Sequence, residues 1–438
     1  MLRQARVWDP LYGRIGLSKY EFDLISLPEV QRLRNVRMCN INSMLVTGAS
    51  EISRFEHTIG VLRLAQEWIR HHQVSEYDGK QLCAAAVLHD MQTGPFGHSL
   101  QYVLEDNSVE GDFIHEDINH GKINHYHQDL FANASFCGRP FGAEAYLGER
   151  WEGVGGIIKG AGYFGPLVAG TMDLDNIDNV VRLAYHVGVA DRTDADIALH
   201  LAQDIDTDGD GISFSRQTID DIIRWQKIRE KLYNLLLLDW AEFSAKAMLT
   251  RAMEIAIANG AVGADSWVYT DSELFNVLER GIGETQSSAE LVKRLRSGEL
   301  YEPLALLVSP SIEAYERLSS TEFKQFFESE IAKSLKLAGS EGAKIIVHFI
   351  LDKGKTQRAV KVKVRDTGEF LTVGANSKNL LIGVFRSRGG VSERALAALT
   401  ERVQVLLAEH GVQQVRPIED PMGDAGPSKH SSEQLVLL

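Results

Sequence analysis

A chain of 438 residues exceeds one ordinary core, so a large domain with a smaller companion is the expected organisation. Its 44% hydrophobic content suits a globular protein, and a formal net charge of −14 excludes non-specific nucleic-acid binding, which demands a cationic surface. No apolar run approaches the ~20 residues that span a bilayer, and MLRQARVWDPLYG lacks the apolar centre of a signal peptide. Cys39, Cys83 and Cys137 are scattered, form no CxxC and suggest no disulfide framework. These features predict a cytoplasmic chain with no membrane partner.

Taken in chain order, residues 16–38 read as helix, with Pro28 punctuating LISLPEVQRLRNV near a new helix start. An amphipathic helix opens near His57 with the stripe Val61, Leu64 and Trp68, and a second, GKQLCAAAVLHD, follows. The polar, His-rich stretch 104–130 reads as a loop around a short helix, placed as a lid. GVGGIIKGAGYFGPLVAG carries neither a P-loop nor a dinucleotide fingerprint and reads as connecting structure. In DTDGDGISF the acidic spacing begins like a calcium loop. Its twelfth position falls on Gln217 rather than a bidentate glutamate, so a tight turn between short strands is expected. Residues 217–260 are strongly helical, and DSELFNVLERGI and SAELVKRLRSG continue the helical pattern.

Near residue 342 the pattern changes. KIIVHFIL, AVKVKVR and NLLIGVF read as strands, and SERALAALTERVQVLLAEHG as a helix with Ser392 as N-cap and Gly411 as stop. The predicted fold is mostly α, with a smaller C-terminal α+β appendage. Its parts are a helical domain with extension over 1–320, the α+β unit over 321–420 and a flexible tail over 421–438. Lys353, Lys355, Arg358, Lys361, Lys363 and Arg365 are read as a solvated hairpin edge, with anion binding as the alternative.

The most informative pair is His89-Asp90, at the end of the alanine-rich helix. Leu82, Ala85 and Ala86 share a face with His89, so its imidazole points inward and Asp90 follows where the helix gives way to a Gly-Pro turn. A buried carboxylate costs several kcal/mol unless it is paired or binds a cation. His57 and Asp175 are the best partners. Asp175 lies beside the stripe Leu174, Ile177, Val181 and Ala184, with Asp178 and Arg182 spaced for an i, i+4 ion pair. His57, His89, Asp90 and Asp175 would suit one divalent transition metal (Mn, Fe, Co, Ni or Zn) with open positions, Mg²⁺ being an option alongside substrate.

The segments PEVQRLRNVR, TGASEISRFEHTIGVLRLA, AVLHDMQTGPFGHS, FIHEDI and GTMDLDNIDNVVRLAYHVG also carry a family resemblance. In order and spacing they resemble HD-superfamily metal-dependent phosphohydrolases, most of all the catalytic domain of the SAM-and-HD dNTP triphosphohydrolase and its bacterial relatives, over about residues 5–310. No SAM-like segment stands in front. The resemblance implies that Arg54 and His98 contact phosphate and that His115 lies near the scissile bond as a general acid. It also implies a homo-oligomer, and a basic pocket near Arg54, Arg34 and His98.

Departures from the family pattern are as specific as the matches. Thr93 occupies the position of a catalytic histidine, and Gln92 that of a glycine. Asn176 replaces a phosphate-binding lysine. Asn179, Leu183 and Met38 stand where the dNTP enzymes hold their sugar. Arg34, Arg54, Thr93, His98, Asn176 and Asn179 are therefore the candidate substrate contacts, and His115, His98 and Arg54 the catalytic ones. The expected activity is hydrolysis of a small phosphorylated, nucleotide-like molecule by metal-activated water. Alternatives are a dNTP triphosphohydrolase, a binuclear HD phosphodiesterase or oxygenase using His115, His120, His125 or His127, and a non-catalytic nucleotide sensor.

Overall fold

The computed structural model describes residues 5–39, 51–111, 113–125, 142–209, 211–280, 286–337, 344–387 and 393–419. Helices dominate, with three small sheets. The mostly α architecture follows from the periodicities, and its details differ in instructive places.

The helix carrying His57 runs Arg54–His72. Ser53 caps it by accepting from Glu56 N, and Gln73, in the left-handed region at φ 50°, ends it. Val61, Leu64 and Trp68 are fully buried on its inner face, and Trp68 donates Nε1–H to Ile205 O at 2.8 Å. Each such side chain contributes roughly 1.5–3 kcal/mol by leaving water. The next helix, Glu76–Leu88, is buried along its whole second half, Leu82–Leu88. Its alanines let it lie between the His57 helix and the helix Trp151–Ile158.

That last helix corrects one expectation. The glycine-rich stretch is not all connection, because Trp151–Ile158 is helical and buries Val154, Ile157 and Ile158. Its glycines are spacers, and a Cβ at Gly155 would overlap the Asn119 amide. Residues 16–38 also differ. Ala5–Asp9 and Gly13–Leu17 form an antiparallel hairpin, so the chain is still extended at 16–17. Ser18 and Glu21 then close a capping box that starts Lys19–Ile25, and Pro28 at the first turn starts Pro28–Arg32.

Helices Leu174–His186 and Arg192–Asp204 complete the bundle around the His57 helix. The 217–260 stretch is two helices, Ile219–Leu238 and Trp240–Ala258. They part at Asp239, whose carboxylate accepts from Ala241 N and Glu242 N. Asp271–Arg280 and Gln286–Ser297 are helical as expected.

One four-stranded sheet has the order Arg416–Pro417, Glu302–Ser309, Leu380–Arg386, Ile345–Leu351, all antiparallel. Its Glu302–Ser309 strand precedes the pattern change at 342 and was not anticipated, because EPLALLVS is a short apolar run without strict alternation. The DTDGDGISF segment forms the expected turn between Asp206–Thr207 and Ile212–Phe214. Ile212–Phe214 then pairs in parallel with Val360–Val364, which pairs with Phe370–Val373. Phe214, Val360 and Val362 join the core that holds Trp68. The C-terminal hairpin is thereby docked on the helical body. Helix Glu393–Glu409 stops before Gly411, at φ 78°. Ser392, His127, Cys137 and the 421–438 tail lie outside the described residues.

Candidate metal centre

His57 projects from the first turn of its helix and His89 caps the end of Glu76–Leu88. Asp90 follows in the turn, and Asp175 sits in the first turn of Leu174–His186. Their ligand atoms converge. His57 Nε2 lies 3.3 Å from His89 Nε2, 2.8 Å from Asp175 Oδ1 and 3.9 Å from Asp90 Oδ2. His89 Nε2 lies 3.5 Å from Asp90 Oδ2 and 3.7 Å from Asp175 Oδ1. Ligands about 2.1 Å from one ion are spaced about 3.0–3.4 Å apart in octahedral or tetrahedral geometry. Two imidazoles and two carboxylates at these separations fit a divalent ion. Among the described residues, His57, His89 and Asp90 are the one buried group close enough to share a cation, and Asp175 closes it from the cavity side.

Supporting contacts orient each ligand. His89 Nδ1 donates to Ala86 O at 3.0 Å, which leaves Nε2 as the lone-pair nitrogen. His57 Nδ1 meets Asp178 Oδ2 at 2.7 Å. Asp178 accepts from Arg182 Nε at 2.9 Å and from the Tyr12 hydroxyl at 2.7 Å. Arg182 is fully buried and also pairs with Asp9 and Glu56, each at 2.9 Å. The expected i, i+4 pair of Asp178 and Arg182 is therefore the anchor of the His57 ring. Gly60 leaves room for it, since a Cβ there would overlap both Asp178 Oδ1 and Arg182 Nη2. Gly60→Ala is expected to lower unfolding stability by about 3 kcal/mol or more, read by denaturant melting, because the buried pair has no free space to enter.

The four side chains shift one another's protonation. Burial lowers the His57 pKa, but hydrogen bonds from Asp175 and Asp178 outweigh it and raise it to about 9. Burial raises Asp90, yet Arg54 and His89 hold its carboxyl well below the usual range. Arg54 Nη1 reaches both Asp90 oxygens at 2.7 Å. A divalent ion held there would compete with a proton for His57 Nε2. The raised pKa stabilises the metal-free fold below about pH 6.5, and that contribution is lost as pH rises through about 9. Metal affinity runs the opposite way. It is expected to rise about tenfold per pH unit between 7 and 9, with protons released, in calorimetry across buffers of different ionisation enthalpy.

A cavity of about 290 Å³ opens beside the cage. Arg54, Asp90, His98, His115, Asp175, Asn176 and Asn179 all line it. His98 and His115 meet edge to face, with ring centroids 4.8 Å apart. Burial, then His115 and Arg54, lower His98 to about 3, so its ring is neutral near pH 7. His98 Nδ1 donates to Gln101 Oε1 at 3.0 Å, the amide being oriented by its Nε2 on Glu105. His115 Nδ1 stands 3.2 Å from a Glu116 oxygen but without hydrogen-bond geometry. The Asn176 amide is occupied at the helix cap, by Gly170 O and Asp173, whereas Asn179 Oδ1 is buried without a partner.

Two expected substrate contacts are placed elsewhere. Arg34 lies over the Phe55 ring at 4.3 Å and donates to Gln31, outside the cavity lining. Thr93 is buried, and its hydroxyl donates to Asp90 Oδ1 at 3.0 Å. It lies outside the cavity lining and orients the Asp90 carboxylate. His120 is exposed and pairs with Asp117, away from the cage. The His125 side chain and His127 are outside the described residues.

The sequence reading missed the wall opposite the cage. Arg229 and Tyr233 from Ile219–Leu238, Glu242 and Lys246 from Trp240–Ala258, and Lys355 and Arg358 from the loop before Val360–Val364 line the same cavity. The solvated-edge reading suits Lys361, Lys363 and Arg365, of which the last two pair with Asp208 and Asp204. It fails for Lys355 and Arg358, which the parallel strand pairing carries to the cavity. The available signal was Lys246 one turn after Glu242, two charged residues in the largely apolar helix Trp240–Ala258.

A helical body with a histidine–aspartate cage and a cavity rich in arginine and lysine beside it defines the class: the chain resembles HD-superfamily phosphohydrolases. No family model matches the chain. The chain is 24% identical over 323 residues to the deoxynucleoside triphosphate triphosphohydrolase SAMHD1 homolog of Dictyostelium discoideum, a match covering 67% of this chain and 58% of that protein. With human deoxynucleoside triphosphate triphosphohydrolase SAMHD1 it is 34% identical over 97 residues, 20% of this chain and 15% of the human protein. An uncharacterized protein of Bacillus subtilis is 28% identical over 189 residues, 42% of this chain and 40% of the relative. The chain thus spans little more than half of the Dictyostelium relative and less of the others. Among the described residues, no helix is long and apolar enough to cross a membrane.

Proposed function

We propose that this chain is a divalent-metal-dependent phosphohydrolase acting on a nucleotide or related organic phosphate. The observation that carries the reading is the convergence of His57, His89, Asp90 and Asp175 at the mouth of a cationic cavity. A divalent ion held there supplies Lewis acidity toward a phosphoryl oxygen and toward water. The chain's own groups supply the rest. Arg54 fixes Asp90 through one nitrogen, and its Nε, buried without a partner at the cavity, is free to donate to a phosphoryl oxygen. Thr93 and Arg54 together hold Asp90 in one orientation. His115, at the cavity wall beside His98, protonates the leaving oxygen, a role Thr93 cannot fill because a hydroxyl exchanges no proton near neutral pH.

The names of the relatives favour a second reading, dNTP triphosphohydrolase. Met38, Asn179 and Leu183 in the cavity lining argue against the sugar contacts that reading needs. The test is an LC–MS turnover panel of nucleotides and phosphorylated metabolites. Protein is loaded in turn with Mn, Fe(II), Co, Ni, Zn and Mg, beside Asp90→Ala. Orthophosphate release lost in the variant is the expected result. Tripolyphosphate released from dNTPs would select the second reading. Nucleotide binding without turnover under every metal would select a sensor.

A further inference from the structure

Among the described residues, Lys246, Lys355, Arg358 and Arg229 form no ion pair, with Glu242 beside Lys246 and Asp352 near Lys355 and Arg229 as the carboxylates that act on them, although the whole chain carries a net charge of −14. Arg229 Nη1 is buried without a hydrogen-bond partner, and its guanidinium lies over the Tyr233 ring at 4.7 Å. Burial, then the nearby Lys355, lower Lys246 to about 8, and burial likewise lowers Lys355. Three half-buried cations gathered around the buried Arg229 are costly to desolvate together, so this wall suits an anion with more than one charge.

The wall is also a divide. Lys246, Lys355 and Leu237 line both the cage cavity and a second chamber of about 170 Å³ behind it. The helix His98–Asp106 runs along both, with His98 facing the first and Tyr102 the second, their rings stacked at 6.0 Å. Tyr102, Tyr315 and His348 give the second chamber an aromatic lining. His348 Nε2 is buried there without a hydrogen-bond partner. An aromatic chamber with an unsatisfied ring nitrogen, behind a lysine gate, suits the organic end of a phosphorylated ligand.

We propose that the two chambers form one binding site for an aromatic organic phosphate of nucleotide type, its ring near Tyr102, Tyr315 and His348 and its phosphates on Lys246 and Lys355. The terminal phosphate is then the group presented to the cage. This rests on the hydrolase reading only for the cleavage step. In that step the oxygen of water bonds to the terminal phosphorus, and the bridging P–O bond breaks with its electron pair left on the organic phosphate. His115 gives its proton to that oxygen, a proton lost by the attacking water passes to solvent or back to His115, and orthophosphate departs.

The test compares binding of α,β-methylene-ADP and inorganic imidodiphosphate to the full chain by calorimetry, with melting curves for every variant. Lys246→Met and Lys355→Met are expected to weaken both ligands at least tenfold, and Lys246→Arg to restore most of the loss. Tyr315→Leu and His348→Leu are expected to weaken the nucleotide about tenfold and imidodiphosphate less than twofold, with Tyr315→Phe near wild type. Equal loss of both ligands in Tyr315→Leu and His348→Leu, or no loss of either, overturns the two-chamber site. In a parallel assay with ADP, AMP and orthophosphate are the expected products, and release of diphosphate overturns the orientation. The binding split with no ADP turnover under any metal supports the site and counts against the hydrolase reading alone.

Discussion

Asp90→Ala is expected to reduce phosphate release by three orders of magnitude or more while leaving a folded protein. The substitution removes one oxygen ligand. It also leaves the Arg54 guanidinium, which holds Asp90 through two 2.7 Å contacts, as an unopposed cation a few ångströms from the two imidazoles. Breaking a buried pair by deleting one partner costs about 3–5 kcal/mol, and each 1.4 kcal/mol is a factor of ten. Here the penalty falls mainly on cation binding, because the orphaned charge repels the incoming ion. Arg54→Ala is the informative companion. It removes the repulsion and the phosphate donor together, so it is expected to retain metal better than Asp90→Ala and still hydrolyse poorly, as read by metal content against turnover.

Arg182→Met is expected to carry the largest stability loss, about 3–5 kcal/mol in denaturant unfolding. Its side chain is fully buried among Asp9, Glu56 and Asp178, so methionine leaves carboxylates in the interior without their counter-charge. Burial raises the Asp178 pKa, but Arg182 and His57 together lower it to about 2. That contribution is present above about pH 4 and is lost as pH falls towards 2. With Arg182 gone, Asp178 binds a proton more readily and holds His57 Nδ1 less firmly. Losing such an outer contact typically weakens metal affinity 10–100-fold, which metal titration of the folded variant checks.

The convergence of His57, His89, Asp90 and Asp175 is readable from sequence because these residues sit at helix ends whose caps and apolar stripes are local. Ser53 places His57, the alanine run places His89 and Asp90, and Asp173 caps the helix that carries Asp175. The cationic wall is not local. Lys355 and Arg358 reach the cavity only because Val360–Val364 pairs with a strand some 150 residues earlier in the chain, Ile212–Phe214. No window of sequence holds that information. Thr93 and Arg34 point away from the cavity lining for a related reason. Alignment to a family position gives the backbone site, whereas the side chains turn to the nearest unsatisfied partners, Asp90 for one and Phe55 with Gln31 for the other. The N-terminal hairpin escaped notice because alternation over two five-residue strands is a weak signal, and the helical reading from residue 16 overlapped only the end of the second.

The most direct measurement is metal content after equilibrium dialysis against Mn, Co and Zn, determined alongside circular dichroism for the wild-type chain, His57→Ala and Asp90→Ala. One tightly held divalent ion per wild-type chain, lost from both folded variants together with phosphate release, is the expected result. A wild-type chain that retains no ion, or folded variants that retain it as tightly as wild type, would contradict the assignment of His57, His89, Asp90 and Asp175 as the metal centre.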